Sequence, residues 1–156
     1  MPTTKGKGGK EFDPGKWAEN EAQKWLTNRS NADARFAWHR YPDAHAARGP
    51  LSAQPCDFLI GRKREGKEGL ALHLEVKETA EVNRIPKDKI TQFGKLYMFH
   101  LAGFQTRVLI WRSTHDDWVY LTQRELFFFD VVPKSFVLTD RPTFKTAADA
   151  LQEMFP

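Results

Sequence analysis

Two stretches decide the reading: Gln54-Pro-Cys-Asp57 leading into Phe58-Leu-Ile60, and Leu70-Ala-Leu-His-Leu-Glu-Val-Lys77. Between them lies Gly61-Arg-Lys-Arg-Glu-Gly-Lys-Glu-Gly69, polar and with three glycines. Apolar runs on either side of such a turn predict a β-hairpin. If the turn centres on Gly66, residues whose numbers add to the same total face each other, and Asp57 falls opposite Glu75. Side chains directly opposite on an antiparallel pair stand ~5 Å apart at Cβ. Strand side chains alternate, so Glu75 and Lys77 share one face with Asp57, and Leu70, Leu72, Leu74 and Val76 share the other. The expectation is a sheet that buries its leucine face and presents Asp57, Glu75 and Lys77 on the opposite one. Cys56 is expected to point away from Asp57 into the core, as a small hydrophobe and not a nucleophile.

Adjacent carboxylates repel, and a hard divalent cation with oxygen ligands offsets that repulsion. A lysine two residues on can orient a water or stabilise developing negative charge. Carboxylates, cation and lysine together suit phosphodiester cleavage. Glu-x-Lys by itself describes many solvated strands; the facing Asp57 and the apolar opposite face separate this one from them.

Outward from the hairpin, the pattern alternates helix and strand. Asp13 caps a first helix with Pro14 at its first position, and Trp17, Ala18, Ala22, Trp25 and Leu26 form its apolar stripe. Phe36 to Tyr41 reads as a short strand, and Pro42 to Pro55 as a loop. After the hairpin, a long helix is expected from near Pro86, with Ile90, Phe93, Leu96, Tyr97 and Leu101 on its apolar face and Gly103 ending it. Thr106–Trp111 and Trp118–Leu121 read as strands. Thr122-x-x-Glu125 is a capping box, and Thr146–Phe155 a last helix. This order predicts an α/β fold.

Composition narrows the class. At 156 residues and 40% apolar, the chain has the material for one folded domain, expected over residues 12–156 behind a flexible basic arm at 1–11. One cysteine excludes an internal disulfide and a Cys-rich zinc cluster. No apolar run reaches the ~20 residues of a membrane helix, and no apolar stretch follows the N-terminus, so a cytoplasmic setting is expected, that of a host cell if a virus encodes the chain. Residues 1–112 hold 20 Lys/Arg against 13 Asp/Glu, a net +7, whereas 113–156 hold 4 against 7, a net −3. The basic excess suggests a polyanionic partner.

Asp57 after a proline-containing lead, then a hairpin, then Glu75-Val-Lys77 resembles the PD-(D/E)xK nuclease superfamily, with Cys56 inserted between the usual Pro-Asp pair. The first helix, Lys7-Gly followed by Gly15-x-x-x-Glu19, is similar to that of archaeal-type Holliday junction resolvases. Glu75-Val-Lys-Glu-Thr79, Ile90-x-Gln92, Arg107–Trp111 and the Val119–Leu121 and Leu126–Phe128 patterns look like the RecU type of resolvase. Glutamine with a tyrosine four residues on marks superfamily exonucleases; here Tyr97 is five residues from Gln92.

The resemblance implies a restriction-endonuclease-like fold, a central mixed β-sheet flanked by helices. It implies a Mg²⁺-dependent endodeoxyribonuclease, with Mn²⁺ as a substitute, cutting branched DNA to leave 5′-phosphates. Asp57, Glu75, the Val76 carbonyl and Glu19 would hold the metal, with Glu21 as the fallback first-helix acid, and Lys77 would orient water. DNA contacts are expected from Lys7 and Lys10 of the arm, from Arg62, Lys63, Arg64 and Lys67 of the turn, and from Thr79, Arg84, Lys87, Lys89 and Gln92. A homodimer is expected, through residues 96–104 and Phe127–Phe129. A duplex nuclease without junction preference and a noncatalytic DNA-binding recombination module are the competing readings. His39 and His45 lack the partners of a His-metal nuclease, and His73 is expected to be solvated beside the site.

Overall fold

A computed structural model describes residues 11–42 and 54–156. Helix α1 (Pro14–Ala32) starts where Asp13 accepts the Lys16 N–H at 3.0 Å, with Pro14 at the position that needs no donor. Strands β1 (Phe36–Arg40), β2 (Phe58–Arg62) and β3 (Leu70–Thr79) form an antiparallel meander. Strand β4 (Arg84–Pro86), a 3₁₀ turn (Lys87–Lys89) and helix α2 (Phe93–Leu101) then cross to β5 (Gln105–Arg112), parallel to β3. Strand β6 (Asp117–Leu121), helix α3 (Gln123–Phe127), strand β7 (Ser135–Val137) and helix α4 (Ala147–Met154) complete the order.

The fold is α/β. Its mixed sheet runs β1-β2-β3-β5-β6 with helices on both faces, as expected from the sequence, and β4 and β7 make a separate two-stranded ribbon. The capping box closes as read: the Thr122 N–H donates to Glu125 Oε2 at 2.8 Å, and the Glu125 N–H donates to the Thr122 hydroxyl.

The hairpin register is the one expected, with Phe58 facing Leu74 and Ile60 facing Leu72. On that face Phe58, Ile60, Leu72, Leu74 and Val76 pack against Ala18, Ala22 and Leu26 of α1 and against α4. Two alanines on α1 let its backbone approach the sheet closely. The opposite face departs from expectation. It is not a presented face: Val108 and Ile110 sit beside Glu75 and Lys77 in register, and they join Val119, Leu121, Ile90, Phe93, Leu96 and Leu126 in a second core. The central strand of a sheet between two helical layers is buried on both sides. Cys56 is buried as expected, but in this second core and so on the side of Glu75.

The long helix is shorter than read. Pro86 is extended at φ −60°, ψ 138°, and its strand pairs with β7, so α2 begins only at Phe93. Proline fixes φ but is equally at home on an edge strand, and β7 supplies that pairing, with Ser135 opposite Pro86 from 49 residues further along the chain. Gly103 ends the helix in the left-handed region at φ +96°. Tyr97 and Leu101, expected on its buried face, are 42% and 67% exposed. Leu74→Ala should lower unfolding free energy by about 2–5 kcal/mol in urea, because Leu74 is wholly enclosed between α1 and β2. Val131→Ala, at an exposed position, should change it by less than about 0.5 kcal/mol.

Candidate active site

Strand β2 begins at Phe58, so one further step along the register sets Asp57 opposite Glu75. The Val76 N–H lies just past the last paired residue, Leu74, and Asp57 Oδ2 accepts it at 2.7 Å. The carboxylate thus takes the place of the strand partner that β2 no longer supplies. Glu75 is only 3% exposed. Its Oε1 meets Lys77 Nζ at 2.6 Å, whereas its Oε2 is buried with no hydrogen-bond partner among the described residues.

Glu19, on α1, forms an ion pair with Arg40 at the end of β1 and a longer one with Lys16 at 3.7 Å. Arg40 also donates to Gln23 Oε1 at 2.7 Å and lies over the Phe58 ring. Glu19 is within electrostatic reach of both Glu75 and Lys77. Glu21 is occupied elsewhere, with Lys24. Arg40 was not picked out from the sequence. The signal was there: Phe36, Trp38 and Arg40 alternate onto the buried face of β1, and a charge on such a face requires a partner.

Burial, and then the Glu75 charge, push the Asp57 carboxyl up to about 7, against the pull of the Val76 N–H, Lys77 and Arg40. Burial likewise raises Glu75, opposed by Lys77, while Glu19 adds to the rise. Burial alone would lower Lys77, but Glu75, Asp57 and Glu19 outweigh it and the ammonium is held above its ordinary value. Asp57 and Glu75 thus resist ionisation together, with Lys77 the cation bonded to Glu75. The orphaned Glu75 Oε2 and the hard oxygen donors of Asp57 and Glu75 fit a divalent cation. Among the described residues no three His, Cys, Asp or Glu side chains converge as a ready-made metal cluster; the third acid, Glu19, is turned to Arg40.

The other expected residues divide. Lys89 Nζ reaches the Glu78 carbonyl at 3.3 Å, next to Lys77, and Lys87 Nζ lies over the Phe93 ring, so this basic group borders the Lys77 end. Arg84 pairs with Glu81, and Gln92 is half-buried at the start of α2. Arg62, Lys63, Arg64 and Lys67 lie at the hairpin tip, separated from Asp57 by the length of β2, about 17 Å at 3.3 Å per residue. Arg62 bonds the Pro156 carbonyl. Thr79 is fully buried and its hydroxyl accepts the Glu81 N–H at 3.2 Å, which makes it a turn residue and not a surface contact. His73, expected to be solvated, is fully buried. Lys7, Lys10 and His45 lie outside the described residues.

No protein-family model matches the chain, and no curated protein does. Among solved structures it is similar to Hjc, a Holliday junction resolvase from Archaeoglobus fulgidus. The identity is 20% and the TM-score 0.45, over 78% of this chain and 88% of that one.

The raised Asp57 carboxyl has a consequence for stability. Folded Asp57 keeps its proton to about pH 7, while the unfolded residue loses it near 3.8. Between those values the folded state binds more protons, so this group's contribution favours folding at the acid end and is lost as pH rises. In metal-free protein, Asp57→Asn should therefore raise Tm relative to wild type at about pH 8, with the difference shrinking towards about pH 4. Thermal melts across that range in chelator read it, and a pH-independent difference would contradict the assignment.

Proposed function

We propose that this chain is a divalent-metal-dependent DNA endonuclease of the PD-(D/E)xK kind that acts on branched DNA such as Holliday junctions. The observation that carries the reading is the juxtaposition of Asp57, Glu75 and Lys77, with a buried, partnerless oxygen on Glu75.

In this reading Asp57, Glu75 and the Val76 carbonyl would hold Mg²⁺, for which Mn²⁺ could substitute, and Glu19 would join directly or through water by leaving Arg40. A cation held there would supply charge neutralisation for the phosphate oxygens. Lys77 stays protonated beside Glu75, so it acts as a donor and not as a general base. Its ammonium orients the attacking water and stabilises the developing charge. Water attack at phosphorus, with the water's proton passing to solvent and the leaving 3′ oxygen taking one up from solvent, would give a 5′-phosphate end and a 3′-hydroxyl. Lys87, Lys89 and Arg84 contact phosphates near the scissile bond. The hairpin-tip cations lie about 17 Å away, a span of about five base-pair steps, where they meet the flanking duplex.

A four-way junction has cleavage points related by a two-fold axis, and paired nicks require two sites in fixed relation. A C₂ homodimer meets that requirement. The apolar surface left for it on α2 and after α3 is Tyr97, Met98, Leu101 and Phe128, since Leu96 and Phe127 are committed to the core.

Lys77→Ala should keep the fold and junction binding but lose cleavage by about 10² or more in single-turnover assays with Mg²⁺. Wild-type protein should nick a four-way junction symmetrically and in preference to matched duplex and single strand; equal cutting of all three would leave a duplex nuclease. Sedimentation at micromolar concentration should give a dimer of about 36 kDa, twice the 18.0 kDa chain. Leu101→Glu should shift it to monomer and uncouple the two nicks.

A further inference from the structure

Asp57 belongs to no strand, yet its carboxylate must stay opposite Glu75. Two hydrogen bonds hold it. Its Oδ2 accepts the Val76 N–H at 2.7 Å, and its carbonyl accepts the Tyr41 N–H at 2.9 Å. Tyr41 in turn lies one residue beyond β1. The Tyr41 ring packs against the second core, and its hydroxyl is hydrogen-bonded to His73 Nε2 at 3.2 Å. His73 is immobilised: it is fully buried, its ring stacks on Phe104 at 4.9 Å and 18°, and Phe99 meets it edge-on at 4.7 Å.

His73 and Val76 are both on β3. The chain of contacts His73–Tyr41–Asp57–Val76 therefore leaves β3 and returns to it three residues later, with Asp57 held between. We propose that Tyr41 and His73 are positioning residues that fix Asp57 in the geometry needed to bind a divalent cation. This rests on the reading of Asp57 as a metal ligand. Neither residue touches the cation or the phosphate; they act through the Asp57 backbone. A histidine is favoured over an apolar residue here because its ring packs between Phe99 and Phe104 while offering Tyr41 a buried partner. Nδ1, on the other side of that ring, has none among the described residues, so losing the Nε2 bond as well would leave the imidazole without any.

Tyr41→Phe tests the role with little disturbance, since the ring and the backbone N–H stay and only the hydroxyl goes. Titrating the full chain with Mn²⁺ by calorimetry, without DNA, Tyr41→Phe should weaken binding about tenfold, the usual cost of losing an outer support of a ligand. His73→Leu should weaken it similarly, and the double variant should lose no more than either single, because both remove one bond. Asp57→Asn should nearly abolish binding. Leu26→Ala, destabilising but on the opposite face, should leave affinity unchanged. Wild-type affinity in Tyr41→Phe alongside loss in Asp57→Asn would overturn the positioning role alone. Wild-type affinity in Asp57→Asn would overturn the metal reading and this inference with it. Additive losses in the double variant, or an equal loss in Leu26→Ala, would show a general stability effect and overturn the inference too.

Discussion

The antiparallel pairing of β2 with β3 governs everything else in the site. Phe58 against Leu74 sets which residues face α1 and which face α2, and a slip of one residue would exchange them. The apolar set on the α1 face resists that slip, because Phe58, Ile60, Leu72, Leu74 and Val76 would all have to leave a closed core. Large apolar residues on one face thereby hold two carboxylates together on the other. The carboxylates themselves oppose the arrangement, as the raised Asp57 and Glu75 show. Hydrophobic burial elsewhere stabilises a site that its own charges disfavour.

Glu75 illustrates how the second core sharpens that frustration. On a one-sided sheet it would be hydrated and its charge screened by water. Here α2, α3 and the β4–β7 ribbon close over the same face, and Lys77 is the one cation directly bonded to it among the described residues. In so dry a setting the neighbouring carboxylates, Glu75 foremost, hold the Lys77 ammonium above its ordinary value against the opposing effect of burial. Arg40 plays the corresponding part for Glu19 on the outer side.

The β4–β7 ribbon is the main architectural addition to the sheet. It joins residues 84–86 to residues 135–137 and delays the start of α2. In doing so it places Lys87 and Lys89 on a tight turn beside the end of β3, instead of along a helix. The basic groups are therefore not interchangeable: one borders Lys77, and the other caps the far end of the hairpin.

The sequence by itself determined the elements whose signals are local. The α1 cap at Asp13 and Pro14, the Gly66-centred hairpin and its register, the Thr122–Glu125 box and the Gly103 stop depend on residues a few positions apart, and all stand as read. The juxtaposition of Asp57, Glu75 and Lys77 was legible for the same reason, because a hairpin turns numbering into distance. What lies across the sheet was decided only by tertiary structure. Alternation along β3 shows which residues share a face but not whether another layer covers it, so the burial of Glu75 and His73 could not be read. Pro86 is compatible with a helix start or an edge strand, and only β7, 49 residues on at Ser135, selects the strand. The partners of Arg40 and Tyr41 are likewise long-range, Glu19 from α1 and His73 from β3. They escaped a one-dimensional reading because they depend on how the layers stack, not on any local propensity.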